Sequence, residues 1–185
     1  PLSGLPEFND LLVELALGPE RTGLLRSLSA KGIATPGGSG ALRLAAANLV
    51  ERGGVVLMRE RHWGPYLGFL REAGLERRTW PLLGADGADV DLEEFTAALR
   101  STVAEQSQLM VWLNDPAHNP TGLSLQPDSR ADVLDAMVHS ALEHPEVGHS
   151  LMIDAAYTLY ADEPHGWATT PVSYTHLTLP TSAIV

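Results

Sequence analysis

Short apolar runs alternate with helix-period segments along most of this chain. From Gly38 to Arg52 (GSGALRLAAANLVER), Leu42, Ala45, Ala46, Leu49 and Val50 recur at helical spacing, and Gly53-Gly54 ends the pattern. Val55 to Met58 follows as a strand of the fully buried type. Tyr66 to Glu72 reads as a helix stopped by Gly74, and Leu75 to Trp80 as the next strand. Asp91 to Ser101 opens on acidic residues, which suits the positive end of a helix dipole. Leu109 to Leu113 (LMVWL) is a continuous apolar strand, Pro127 to Leu142 a helix, and Ser150 to Asp154 (SLMID) a strand ending on a carboxylate. A further helix is expected near Glu7 to Leu17, before Gly18-Pro19. Strands without inside–outside alternation, separated by helices, predict an α/β fold: a mainly parallel sheet covered by helices on both faces. In such sheets ligands bind at the carboxyl ends of the strands.

Composition narrows the picture. The chain of 185 residues is 44% hydrophobic and 19% charged, as expected of one globular domain. A net charge of -11 argues against nucleic acid or an anionic membrane surface as a partner. No apolar run approaches the roughly 20 residues that span a bilayer. Cysteine is absent, so neither disulfides nor thiolate metal sites are available, which suits a reducing compartment such as the cytoplasm. His139, His144 and His149 recur every fifth residue, off any common helix face, and read as surface histidines. Of the 12 basic residues only Lys31 is a lysine.

The tail is different. After Glu163 the sequence has no Asp, Glu, Lys or Arg, and the run Val172 to Thr181 (VSYTHLTLPT) resembles the translation of a transposon-type sequencing adapter. The alternative is a polar edge segment. We expect a native domain over residues 1–171 and a tail of non-native origin over 172–185. Pro1, with no initiator methionine before it, reads as an internal position of a longer protein.

Three motifs carry chemistry, each at or just after a strand or at a helix start. In Thr35 to Arg43 (TPGGSGALR), glycines lead into a helix whose N-terminal N–H groups can approach a phosphate, and Ser39 adds a hydroxyl. The pattern is neither a P-loop nor a dinucleotide fingerprint; a plain glycine turn before a helix is the other reading. In Asn114 to Gly122 (NDPAHNPTG), two X-Pro steps pin an extended loop that presents Asn119 beside the strand end. Asp154 to Tyr157 (DAAY) sets a carboxylate at the tip of a buried strand, where it needs a partner; capping the next helix would also account for it.

Together these segments resemble the aspartate and aromatic aminotransferases, a family of enzymes dependent on pyridoxal 5′-phosphate (PLP). TPGGSGALR is similar to the family's phosphate cup, HNPTG to its cofactor-facing loop, and DAAY to the segment under the pyridine ring. Trp63 in RHWGPYLGFLREAGLE resembles the aromatic residue that stacks on the ring, and PLSGLPEF the segment before the large domain. The resemblance runs from Pro1 to about Ala161, with its elements in family order. It implies part of the large domain of the fold-type-I PLP transferases. Gly38 and Ser39 would hold the phosphate, Trp63 would stack on the ring, Asn119 and Tyr157 would bond the phenolic oxygen, and Asp154 would pair with the pyridine nitrogen. It further implies amino-group transfer from an amino acid to a 2-oxo acid by a cytoplasmic homodimer. Ser39 stands where many relatives have Thr.

The larger departure is the lysine that forms the Schiff base with PLP. In the family it lies downstream of the DAAY segment, beyond this chain, and Lys31 precedes the phosphate loop and reads as solvated. The catalytic residue is therefore not in the chain, which as written is expected not to transaminate. A PLP-dependent lyase or decarboxylase on the same scaffold, or a non-catalytic α/β domain binding a phosphorylated ligand, are the alternatives; the second would require Asn119, Asp154 and Tyr157 to coincide by chance.

Overall fold

The computed structural model describes residues 4–26, 29–170 and 182–184. The elements run α1 (Pro6–Leu17), α2 (Arg21–Leu24), α3 (Gly37–Leu49), β1 (Val55–Arg59), α4 (Tyr66–Ala73), β2 (Glu76–Trp80), α5 (Leu92–Val103), β3 (Gln108–Asn114), α6 (Pro127–Glu143), β4 (Gly148–Asp154), α7 (Gly166–Thr169) and β5 (Ser182–Ile184). The strands form one sheet in the order β2-β1-β3-β4-β5, with every pairing parallel. Residues 172–181 and 185, the greater part of the tail predicted to be adapter-derived, lie outside the described residues.

Local signals account for the ends of the helices. Asp91 caps α5 by accepting from the Glu94 N–H at 3.0 Å, and Glu93 and Glu94 occupy its first turn. Gly74 ends α4 in the left-handed region (φ 72°), so that its N–H reaches Arg71 O at 3.1 Å and the Leu75 N–H reaches Leu70 O at 2.8 Å. That double closure turns the chain directly into β2.

Residues of β3 divide strictly between the two faces of the sheet. Leu109, Val111 and Leu113 pack with Phe95 and Leu99 of α5 and Val133 and Met137 of α6. Met110 and Trp112 pack with Leu42 and Ala46 of α3 and Tyr66, Phe69 and Leu70 of α4. The predicted two-sided cover is therefore present, and the apolar run LMVWL is continuous because both of its faces are buried. Each fully buried large side chain contributes on the order of 1.5–3 kcal/mol by leaving water.

The order of the strands fixes where a site can form. From β1 the chain moves outward through α4 to β2, then crosses back through α5 to β3 and on through α6 to β4. Helix α4 lies on one face and α5 and α6 on the other. The direction of winding thus reverses between β1 and β3, and the strand ends part there to leave a crevice.

One sequence reading is corrected. His149 is not a surface residue: it is 3% exposed, with Nδ1 bonded to Val147 O at 2.9 Å and Nε2 to Ser140 Oγ at 2.9 Å. It lies on β4 two residues before Leu151 and four before Ile153, and so shares their α6-facing side. His139 and His144, on and after α6, stay accessible and face Glu143 and Glu146. Among the described residues no cluster of His, Cys, Asp and Glu could hold a metal ion, and no helix is long and apolar enough to cross a membrane.

Burial lowers the pKa of both His149 and His118 below the ordinary 6.5, a neighbouring Arg59 charge adding to the effect at His118. Both rings bind a proton more readily in the unfolded chain. The stability they contribute is complete above about pH 6.5 and is lost as the pH falls toward their folded-state values. Urea midpoints should fall between pH 6.5 and 5, and more shallowly in His149→Gln; an unchanged slope in that variant would contradict the assignment.

Candidate active site

The site assembles where β1, β3 and β4 end. Asn114 and Asp154, the last residues of β3 and β4, are register partners. The Asn114 side chain donates to Asp154 O at 2.9 Å and accepts from the Asn119 N–H at 2.6 Å. One buried amide thereby ties the tip of β4 to the following loop.

That loop is held from inside. His118 is 2% exposed, with Nε2 at 3.0 Å from Arg61 O and Nδ1 at 2.8 Å from Thr121 Oγ1. A carbonyl can only accept, so Nε2–H donates to it, and Nδ1 of the neutral ring accepts from the Thr121 hydroxyl. The lowered pKa agrees with this neutral form. Asn119 is then carried outward, and its Nδ2 donates to the Tyr157 hydroxyl at 2.8 Å.

Asp154 has a second set of contacts. The Tyr66 hydroxyl donates to its Oδ2 at 2.5 Å, and the Ala156 N–H to its Oδ1 at 3.1 Å. Burial raises the Tyr66 pKa far above the tyrosine range, the Asp154 charge and hydrogen bond adding to it, so this hydroxyl remains a donor. The Tyr66 ring lies 4.4 Å from the Trp112 ring and meets Trp63 edge-on at 5.6 Å and 84°.

Opposite the carboxylate stands the start of α3. Gly37 enters it at φ 68°, a conformation suited to glycine, with its N–H on Thr35 O at 2.7 Å. No side chain caps this helix and its first turn has no acidic residue, so its leading N–H groups and positive dipole end stay available. Gly38 and Ser39 are exposed there, and a Cβ added to Gly38 would meet no protein atom within 4 Å.

All six residues singled out from the sequence, Gly38, Ser39, Trp63, Asn119, Asp154 and Tyr157, line one cavity of about 230 Å³. Lys31 is exposed and lies outside its lining. Two further lining residues with polar side-chain atoms, Tyr66 and Asn114, are not among the residues the sequence singles out. Tyr66 sits at an apolar helical position and Asn114 one residue beyond an apolar strand, so each passes for packing; the polar end of the strand was the available signal for Asn114.

Behind the cavity the two loops are joined by a buried polar group. Asp115, 2% exposed, accepts from the Leu125 N–H at 2.8 Å through Oδ1 and from Trp167 Nε1 at 2.7 Å through Oδ2. Arg130, 4% exposed, donates to Leu125 O at 3.0 Å and pairs with Glu163. Leu125 belongs to the segment that carries Asn119, whereas Glu163 and Trp167 follow Tyr157. Burial raises the Asp115 pKa, opposed by the two N–H donors and by the charges of Arg130 and Arg59.

Comparison with known proteins agrees with this geometry. Residues 1–176 match the family described as aminotransferase class I and II. The chain is 33% identical over 163 residues to the aromatic-amino-acid aminotransferase of Paracoccus denitrificans, covering 87% of this chain and 38% of that protein. It is 32% identical over 124 residues to the aspartate aminotransferase of Escherichia coli K12, covering 66% of this chain and 30% of that protein. The chain therefore spans less than two fifths of the length of these relatives. Among solved structures, an aminotransferase from Anaerococcus prevotii superimposes with a TM-score of 0.85 at 22% identity, over 99% of this chain and 43% of that one, and shows the shared fold. An aromatic amino acid aminotransferase solved with 3-indolepropionic acid gives a TM-score of 0.66 at 31% identity, over 91% of this chain and 40% of its own. This chain belongs to the class I and II aminotransferases, whose aspartate and aromatic members depend on pyridoxal phosphate.

Proposed function

We propose that this chain is the cofactor-binding portion of an aminotransferase that carries PLP and transfers an amino group from an amino acid to a 2-oxo acid. One observation supports this above the others: a single cavity presents a carboxylate, an aromatic wall, a paired amide and phenol, and an open helix N-terminus. That donor set fits PLP, which combines an anionic phosphate, a flat ring, a phenolic oxygen and a basic ring nitrogen. When bound, PLP supplies an electron-withdrawing ring and a carrier for the amino group.

Residue roles follow from chemistry and position. The Gly38 and Ser39 N–H groups and the Ser39 hydroxyl would receive the phosphate at the dipole end of α3. Trp63 would cover one ring face. Asn119 and Tyr157 would bond the phenolic oxygen, and their mutual 2.8 Å contact already sets them side by side. Asp154 would accept from the ring N–H⁺, a charge-assisted bond. Its two oxygens each serve one protein donor and so keep acceptor capacity for the ligand.

The test is a titration of the chain with PLP, followed by tryptophan fluorescence. Saturable quenching, competed by pyridoxine 5′-phosphate but not by pyridoxal, is expected; no saturable binding would remove the proposal. Gly38→Ala separates ligand from fold. Open space at that Cβ, on an exposed first-turn residue of α3, predicts thermal stability unchanged to within about 0.5 kcal/mol. PLP affinity should nonetheless fall about tenfold or more as the methyl group crowds the phosphate seat; full affinity in the Ala variant would place the phosphate elsewhere.

In the full-length protein we further propose a homodimer located in the cytoplasm. Supporting the former, Phe8, Leu11 and Leu15 of α1, with Leu5 just before it, expose apolar side chains, and no residue of that helix is buried. Sedimentation of the full-length protein as a monomer would count against it.

A further inference from the structure

Tyr66 is the one hydroxyl donor bonded to the Asp154 side chain among the described residues. It is 2% exposed, and its ring is fixed on two sides, by Trp112 at 4.4 Å and by the edge-on Trp63 at 5.6 Å. The same side chain therefore reaches both the carboxylate and the aromatic wall of the cavity. Residues 66 and 154 are 88 positions apart, so the bond also links the start of α4 to the tip of β4. An Asp side chain rotates about χ2 over a broad range. With Oδ2 held by a packed phenol and Oδ1 by the Ala156 N–H, that rotation is closed off.

We propose that Tyr66 is a positioning residue, which holds the Asp154 carboxylate in the orientation that meets the ring nitrogen of the cofactor while bracing the Trp63 wall. This rests on the PLP-binding reading above and deepens it. The single proton of the hydroxyl is committed to that carboxylate, so its contribution as a donor passes through Asp154. Its effect should therefore appear only with ligands that have a ring nitrogen. The aromatic ring, by contrast, supports Trp63 whatever the ligand.

The test compares wild type and Tyr66→Phe, which deletes the hydroxyl and keeps the ring. Each is titrated with PLP and with its 1-deaza analogue, in which CH replaces the ring nitrogen. We expect Tyr66→Phe to bind PLP roughly fivefold or more weakly, with unchanged affinity for the deaza analogue. An equal loss with both ligands would mark a merely structural role and overturn the proposal, as would no loss with either. A second measurement does not depend on the Phe variant matching wild-type stability: in an Asp154→Asn background, adding Tyr66→Phe should cost no further PLP affinity, and full additivity would overturn the coupling. Wild type failing to bind PLP at all would instead remove the PLP reading itself, a result distinct from every outcome that concerns Tyr66.

Discussion

Asp154→Asn is expected to weaken PLP binding by roughly 10- to 100-fold, the value of one hydrogen bond to a charged group. The substitution keeps the size and one carbonyl oxygen of the side chain, so the Tyr66 hydroxyl at 2.5 Å retains an acceptor. The Ala156 N–H then faces the new amide NH2 and loses its acceptor, whereas the backbone bond from Asn114 to Asp154 O persists because it uses the main chain. What the cavity itself loses is the negative charge facing it. Asp154→Ala would be less informative, since it strands the buried Tyr66 hydroxyl and adds a stability cost of about 1–3 kcal/mol. In a full-length protein carrying this chain, Asp154→Asn should also abolish most of the turnover. Wild-type affinity together with wild-type turnover would dissociate this carboxylate from the cofactor.

The largest expected effect on stability lies behind the cavity, at Asp115. Its replacement by alanine leaves the Leu125 and Trp167 N–H groups without their acceptor, at about 1–3 kcal/mol each. It also removes a negative charge that interacts with the buried Arg59 and Arg130 guanidinium groups. A total of about 3–5 kcal/mol follows, a large part of the 5–15 kcal/mol typical of a whole domain. Trp167→Phe deletes only one of the two bonds and should cost about 1 kcal/mol. Chemical denaturation of the two variants gives the comparison directly: similar losses for Asp115→Ala and Trp167→Phe would mean that the Leu125 bond and the arginine charges contribute little. Because Asp115 joins the segment before α6 to the segment after β4, its loss should also loosen the Asn119–Tyr157 pair.

Much of this was legible in the chain itself, for identifiable reasons. Buried parallel strands are uniformly apolar, so β1, β3 and β4 could be read within one or two residues of their ends. Glycines at the start of α3, Asn119 before Pro-Thr-Gly and the carboxylate that ends SLMID stand where the fold opens, and Gly38, Asn119 and Asp154 all line the cavity. Tyr66 was hidden because its ring satisfies the helical apolar pattern; only its hydroxyl, meeting a residue 88 positions away, marks it out. Asp115 was hidden because a Pro-rich loop accounts for a local Asp, and nothing in the sequence places Trp167 against it. His149 was misread on spacing alone. The alternation His149, Leu151, Ile153 within β4 was the better guide, since period two outranks a five-residue interval once the segment is a strand.

The strict division of β3 between its faces separates two kinds of selection on neighbouring positions. Met110 and Trp112 share a compartment with Tyr66 and α3, and so with the walls of the cavity. Leu109, Val111 and Leu113 share theirs with α5 and α6, which contribute nothing to the cavity lining. Volume changes on the second face can alter the durability of the fold while leaving ligand preference untouched, and changes on the first can reshape the pocket. A single strand thus offers two nearly independent dials, interleaved residue by residue, through which a lineage can trade robustness and specificity without setting one against the other.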